Sequence, residues 1–326
     1  MTRPRSTPRH HHATASRDGP PRAAPTGAAR LGRRQWWQIA AITAAALALF
    51  WLVRRLPTGT ALGHLDFRTA GGSGFEFCDP ANPQFLPVVD VPSPVRMSLA
   101  PAVATPGREQ RFVLTLRTAN DKPIGDGDLA VAHTRKLHLL VVDSTLGEYH
   151  HLHPEPGERA GEWRFVFTPR RGGSYRVFAD FVPLATGRGL YAAATLDSPG
   201  ANGAPARRES RRYEREGLRF ALATTNPRIR ARETTELRLT LEAADGGAVV
   251  LSPVMGAFAH LVAFDEERRG FAHLHPDDPD LAGPPDVRRP ELGFKVTWPE
   301  PGFYVVWSQV NVAGEDVFAP FTLRVE

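Results

Sequence analysis

The sequence contains a long internal repeat, which limits the possible folds more than any other feature. Residues 133–154 (HTRKLHLLVVDSTLGEYHHLHP) align without a gap on residues 255–276 (MGAFAHLVAFDEERRGFAHLHP), at a constant offset of 122. Farther along, residues 165–181 match residues 294–310, where the offset is 129 because the second copy has seven more residues in the intervening loop. Matching stretches of this length predict two tandem copies of one domain.

Each copy consists of short segments that are typical of strands. In the first copy, FVLTL, LHLLVV, WRFVF and YRVFADF alternate or are apolar throughout, and turn sequences such as PRRGG lie between them. Neither copy contains a convincing amphipathic helix. The pattern predicts an all-β fold, with one antiparallel β-sandwich at 96–198, a polar linker at 199–216 and a second sandwich at 217–326.

An apolar segment precedes the repeats. Residues 36–53 carry no charge, and as a helix they would span about 27 Å, close to the hydrocarbon thickness of a bilayer. This predicts one N-terminal transmembrane anchor. The preceding residues 1–35 contain eight arginines and lack apolar periodicity, which predicts a disordered cytoplasmic tail. Residues 54–95 are rich in proline and glycine and are expected to form a stalk.

The charge distribution gives the expected location and excludes one class of partner. Arginines before the anchor place the N-terminus in the cytoplasm, so the sandwiches are expected in the periplasm or outside the cell, on a single-pass protein of the bacterial inner membrane. A cleaved signal peptide is the alternative, because Ala61 and Gly63 offer small residues for a cut. The basic charge lies in the tail while 56–326 is mildly acidic, so no nucleic-acid partner is expected.

The histidines of the first copy are spaced to converge. In a strand, residues i and i+2 point to the same face, so His151 and His153 project together. His138 lies on the preceding strand, and a hairpin turn centred between Thr145 and Leu146 sets His138 directly opposite His153. Paired residues have Cβ atoms about 4.5–5.5 Å apart, so three imidazoles are expected at one point.

The same register in the second copy sets His260 opposite His275, with His273 one diagonal step away. Three imidazoles suit copper or zinc. Met255 could add a soft sulfur ligand that favours Cu(I), and His133 is the harder residue at that position of the first copy. The candidate ligands are His133, His138, His151, His153, Met255, His260, His273 and His275. A later strand of each copy carries Asp180 or Gln309, which could orient a histidine.

The motifs resemble a bacterial extracytoplasmic family. The pattern LHLLVVDSTLGEYHHLHP…GEWRFVFTPRRGGSYRVFADF is similar to YtkA-like and FixH-like domains, which are associated with copper handling. The resemblance covers roughly 96–198 and 217–326, and the His-x-His-Pro motif is its most specific part. It implies an immunoglobulin-like or CopC-like sandwich outside the inner membrane. Together with the repeat and the apolar segment, this predicts two tandem immunoglobulin-like antiparallel β-sandwiches after one N-terminal transmembrane helix. It also implies a copper-handling or metal-transport protein of the envelope as partner.

Three functions are consistent with these features. The first is a membrane-anchored extracytoplasmic protein that binds copper, as Cu(I) or Cu(II), or zinc, and acts as a chaperone or buffer. The alternative is a non-metal envelope scaffold or interaction module, whose histidines form a structural hydrogen-bonded cluster. A metalloenzyme is the third, but no nucleophile with a base and no cofactor loop accompanies the histidines. We therefore expect that the chain is not an enzyme. Cys78, the sole cysteine, lies outside both repeats, which argues against a blue-copper site.

Overall fold

A computed structural model describes residues 32–55, 84–91, 93–277, 281 and 283–326, with the backbone alone for 52–55. Residues 1–31 of the predicted tail and 56–83 of the predicted stalk lie outside the described residues. One α-helix spans Arg33–Arg55, and a single 3₁₀ turn spans Asp126–Asp128. No helix within the described ranges is both long and apolar enough to cross a membrane. The structure therefore has a helix at the predicted anchor, 36–53, and the transmembrane span stays a prediction.

The first repeat is a β-sandwich of eight strands: β1 (Val95–Ala100), β2 (Gln110–Thr118), β3 (Leu137–Asp143), β4 (Tyr149–Leu152), β5 (Glu155–Pro156), β6 (Glu162–Phe167), β7 (Gly173–Phe181) and β8 (Leu190–Ser198). All strand pairs are antiparallel, and they form the sheets β1-β2-β6-β5 and β4-β3-β7-β8. Phe112, Trp163 and Tyr175 lie between the two sheets in the apolar core of this repeat.

The second repeat has the same architecture, with strands β9 (Arg212–Arg215), β10 (Leu218–Thr224), β11 (Thr234–Ala243), β12 (Leu251–Ser252), β13 (His260–Asp265), β14 (Phe271–Leu274), β15 (Glu291–Thr297), β16 (Gly302–Val312) and β17 (Glu315–Val325). One sheet has the order β15-β11-β10-β9, and the other has the order β12-β16-β13-β14 with β17 also paired to β16. The predicted all-β fold with tandem antiparallel sandwiches is thus confirmed.

The histidine-bearing strands are buried on both faces. Along β3, Leu137, Leu139 and Val141 point into the core of the first repeat. The alternate residues Leu140 and Val142 point to the opposite face, yet they are as fully buried. A strand that is apolar on both faces requires a cover on each side, as the strands of buried sheets do.

The second repeat provides that cover. The two histidine-bearing sheets, β4-β3-β7-β8 and β12-β16-β13-β14, pack on each other within one compact unit. Phe178 stacks on Phe264 with ring centroids 6.0 Å apart, and the Trp307 indole donates a hydrogen bond of 3.2 Å to the Leu146 carbonyl. The buried apolar residues of this interface are Leu140, Val142, Leu146, Tyr149, Phe178, Val262, Phe264, Phe271, Val305 and Trp307.

Part of the predicted stalk also contacts the second repeat. Leu86 and Phe271 exchange backbone hydrogen bonds of 2.7 and 3.1 Å, and Phe85 lies in the core of the second sandwich. The segment 84–91 therefore bridges from the N-terminal side of the first repeat to the body of the second.

Candidate metal centre

The first triad is assembled by the hairpin of β3 and β4. Leu139 pairs with Leu152, so the register, continued by one residue, sets His138 opposite His153, as the sequence predicts. His151 projects from β4 to the same side. One ring nitrogen from each of the three histidines lies within 4.8 Å of the others.

The second triad repeats this geometry. Leu261 of β13 pairs with Leu274 of β14, and the same register sets His260 opposite His275. Together with His273 they again offer three ring nitrogens within 4.8 Å of one another. The two repeats thus share both the histidine triad and the hairpin that forms it.

Hydrogen bonds assign the tautomers in the first triad. His138 Nε2 lies 3.1 Å from the Ala132 carbonyl, which can only accept, so Nε2 carries the proton and Nδ1 has a lone pair. The Gln309 amide nitrogen donates to Asp316 at 2.9 Å, which turns its oxygen toward His151 Nδ1, also at 2.9 Å. His151 Nδ1 therefore donates, and its Nε2 has the lone pair. These two lone-pair nitrogens, His138 Nδ1 and His151 Nε2, face each other at 3.1 Å.

The second triad has the same pattern. His260 Nε2 donates to the Val254 carbonyl at 2.9 Å, and His273 Nδ1 lies 3.2 Å from the carboxylate of Asp180, which when ionised can only accept. With Asp180 ionised, the lone pairs are on His260 Nδ1 and His273 Nε2, which face each other at 3.3 Å. Burial raises the pKa of Asp180 to about 7, and a cation at the triad would favour its ionised form.

The third histidine of each triad differs from the other two. The Nε2 atoms of His153 and His275 are buried and have no hydrogen-bond partner among the described residues. As whole residues, His153 and His275 are half-buried, whereas the other four histidines are buried. Each triad thus has two imidazoles fixed by hydrogen bonds and a third, half-buried histidine whose Nε2 has no partner among the described residues.

The imidazoles are uncharged at neutral pH. Burial, reinforced by the neighbouring histidines, lowers the pKa of His153 to about 3 and holds the pKa of His151, His273 and His275 well below the usual range. Burial also lowers the pKa of His260, to about 4. A neutral imidazole has one N–H and one lone pair, and the lone pair is what a metal ion binds.

Two polar residues cross between the repeats. Asp180 pairs in its own sheet with His138, but its carboxylate contacts His273 of the second repeat. Gln309 pairs with His260, but its amide contacts His151 of the first repeat. We expected these residues to orient histidines, but the sequence did not indicate that each acts on the other repeat. No sequence signal identified Asp316.

The aligned residues His133 and Met255 occupy equivalent tight turns. His133 has φ 47° and Met255 has φ 48°, and each turn is closed by a pair of backbone hydrogen bonds between its flanking residues. The carbonyl that precedes each of them accepts from His138 or His260. The His133 ring lies against His275 of the second repeat, with centroids 3.9 Å apart.

His150 is separate from the triads. It lies on the opposite face of β4 from His151, contacts Glu148 at 2.7 Å and packs on Phe167. This histidine is therefore a natural control for the neighbouring ligand candidates.

Comparisons with solved structures give only distant likenesses. The Lin-41 filamin domain is 20% identical, with 31% of this chain and 90% of that chain covered and a TM-score of 0.21. Fibronectin(III)-like modules of Clostridium thermocellum CbhA are 11% identical over 71% of this chain and 93% of theirs, with a TM-score of 0.19. Red sea bream transglutaminase is 9% identical over 72% of this chain but only 32% of its own length, with a TM-score of 0.24.

No curated protein matches the chain. The resemblance to YtkA-like, FixH-like and CopC-like domains and the expectation that the chain is not an enzyme both stay predictions. A family of domains described only as of unknown function matches residues 90–198 and again 213–326, which together exceed half of the chain. The chain therefore belongs to the family named domain of unknown function DUF8832 and carries two copies of that domain.

Proposed function

We propose that this chain is a metal-binding protein that holds one transition-metal ion at each histidine triad. The observation that carries the proposal is the pair of lone-pair nitrogens facing each other at 3.1 Å in the first repeat and, with Asp180 ionised, at 3.3 Å in the second. Without an ion or a proton between them, two such lone pairs repel.

The distances agree with the geometry of a bound ion. With metal–nitrogen distances of about 2.0 Å and tetrahedral angles, two imidazole nitrogens on one ion lie about 3.3 Å apart. A structural hydrogen-bonded cluster would need an N–H between His138 and His151. The other nitrogen of each ring already carries the proton of the neutral form.

Copper is the expected metal and zinc the second candidate, because three imidazoles suit both ions. A partly exposed third ligand, His153 or His275, favours a protein that accepts and releases ions. We therefore favour the role of a metal buffer or chaperone, with an envelope copper-handling or metal-transport protein as the partner.

Metal analysis of the full chain tests the proposal. After loading with Cu²⁺ or Zn²⁺ and dialysis to remove free metal, the purified protein should retain about two ions. Its melting temperature should rise with added metal through linkage. His260→Ala should remove one ion and reduce this shift. His150→Ala changes a histidine of the first hairpin that faces away from the triads. It should alter neither the ion content nor the metal-dependent rise in melting temperature.

Additivity separates ligands from structural residues. His260→Ala combined with His273→Ala should weaken metal binding little more than either change alone, since residues that share one ion are not additive. A protein that retains no metal and shows no metal-dependent rise in melting temperature would refute the proposal and favour the scaffold alternative.

We also propose that the sandwiches function outside the cytoplasm, as an inner-membrane protein with a cytoplasmic N-terminus. Support comes from the order of an arginine-rich segment, the uncharged residues 36–53 and mildly acidic domains. A reporter fused after Glu326 should be active only in the periplasm or outside the cell, and activity of a cytoplasmic reporter there would reverse the assignment.

A further inference from the structure

The two triads lie against each other across the interface between the repeats. The ring centroid of His273 is 5.3 Å from that of His151 and 5.9 Å from that of His138. On the basis of the proposed metal binding, we propose that the triads form one coupled two-ion centre. In this centre, Asp180 and Gln309 each position a ligand of the ion held by the other repeat.

The exchange of contacts supports the coupling. Asp180 accepts from His273 Nδ1, which fixes Nε2 of that ring toward the ion of the second repeat. Gln309 fixes His151 toward the ion of the first repeat in the same way. Neither ligand is oriented by its own repeat, so neither site is complete without the other sandwich.

The two positioning residues differ in charge, which makes the sites unequal. A carboxylate that accepts the Nδ1–H makes the imidazole a stronger donor to a cation, and a neutral amide does this less. Asp180 supplies the carboxylate to the second triad, whereas Gln309 supplies the amide to the first. The second-repeat site should therefore bind a divalent ion more tightly and fill first.

Two single changes isolate the sites. His153→Ala leaves the second-repeat site intact, and His275→Ala leaves the first-repeat site intact. Both residues are half-buried, and their Nε2 atoms form no hydrogen bond within the described part of the chain. These changes therefore preserve the cross-repeat bonds of Asp180 and Gln309. Each background, made in the full chain, is titrated with Zn²⁺ against a chromophoric chelator, and with Co²⁺ for its visible ligand-field spectrum.

Asp180→Asn is the decisive change. In the His153→Ala background it should lower the Zn²⁺ affinity of the second-repeat site by about 10–100-fold, the usual effect of mutating such an outer partner, because a neutral amide replaces the carboxylate. In the His275→Ala background the first-repeat site should keep its affinity within about twofold, although Asp180 belongs to that repeat. The Co²⁺ spectrum should change only in the first of these backgrounds.

The opposite change, from an amide to a carboxylate at Gln309, and a control variant complete the design. Gln309→Glu, made with Asp316→Asn so that two carboxylates do not face each other, should raise the affinity of the first-repeat site only. Asp143→Asn is the matched control. Like Asp180, Asp143 has a buried carboxylate, but it lies on β3 and accepts hydrogen bonds from the backbone amides of Thr145 and Glu148. This control should leave both affinities unchanged.

Each result has one interpretation. If Asp180→Asn weakens the first-repeat site, weakens both sites equally or weakens neither, the coupling is wrong. A merely structural role would lower the melting temperature of the metal-free protein equally in both backgrounds and leave the Co²⁺ spectra unchanged. If neither single-site variant nor the unmodified chain binds Zn²⁺, Co²⁺ or copper, the proposed function itself fails.

Discussion

The two repeats carry the same three histidines in the same register but surround them differently. The triad of the first repeat is bounded by an amide from Gln309, and that of the second by a carboxylate from Asp180. The ring of His133 lies against the second triad, although it belongs to the first repeat. Both copies have the same histidines, while the differences between the copies lie in residues that contact the other repeat. A substitution in one repeat is therefore expected to show its effect in the other.

The largest expected effect is the loss of one whole site. His275→Ala should reduce the zinc content of the full chain from two ions to one and leave the first-repeat site in place, and His153→Ala should do the converse. The altered site loses one of its three ligands. Its affinity should therefore fall by more than the factor of about 10–100 that mutation of an outer partner costs. Elemental analysis after dialysis measures the content. Retention of two ions by either variant would contradict separate ligand sets.

The acid stability of the metal-free protein tests a property of both repeats, which is that their buried histidines are held neutral. Burial lowers the folded-state pKa of His260 to about 4 and that of His153 to about 3, below the ordinary 6.5 of an unfolded histidine. Their contribution is therefore complete above pH 6.5 and decreases as the pH falls through the window from 6.5 to 3. Within this window, each such histidine lowers the free energy of unfolding by about 1.4 kcal/mol for each unit that the pH falls.

Urea unfolding of the metal-free chain at pH 7, 6 and 5 measures this loss. The midpoint should fall steeply at each step, and Zn²⁺ at pH 7 should raise it. A midpoint that stays constant from pH 7 to 5 would show that the histidines are not held neutral in the folded state.

Truncation at the interface should weaken both sites together. Phe178→Ala removes a fully buried ring that stacks on Phe264 of the other repeat and should destabilise the protein by about 3–5 kcal/mol. It should also lower Zn²⁺ affinity at both triads, because the bonds from Asp180 and Gln309 cross this interface. Phe112→Ala, which leaves a cavity in the core of the first repeat alone, is the control. Equal effects of the two variants on zinc affinity would show that docking does not matter.

The smallest expected effect concerns the aligned turn residues. His133→Met, in the His153→Ala background, removes the ring contact with His275 and should weaken Zn²⁺ binding at the second-repeat site about fivefold, as a contact worth about 1 kcal/mol would. The same change in the His275→Ala background should have no effect. The opposite pattern in chelator competition would assign His133 to its own repeat.

The sequence alone determined the repeat, the all-β class and the composition of each triad. A period of two fixes which histidines share a face, and a hairpin turn fixes the residue opposite each one. The positions of His138 and His260 opposite His153 and His275 therefore followed from counting along the chain. The anchor predicted over 36–53 did not have this support, because apolar composition predicts a helix there without fixing what surrounds it.

Only the tertiary structure decided what covers the histidine face. The strands β3 and β13 are apolar on both sides, so the alternation that identifies one face as core does not say what packs on the other. Contacts between residues 93 or 158 positions apart, such as His273 with Asp180 and His151 with Gln309, depend on the docking of two complete sandwiches. Local periodicity carries no information on that docking, because it is set by the shape and burial of whole sheets.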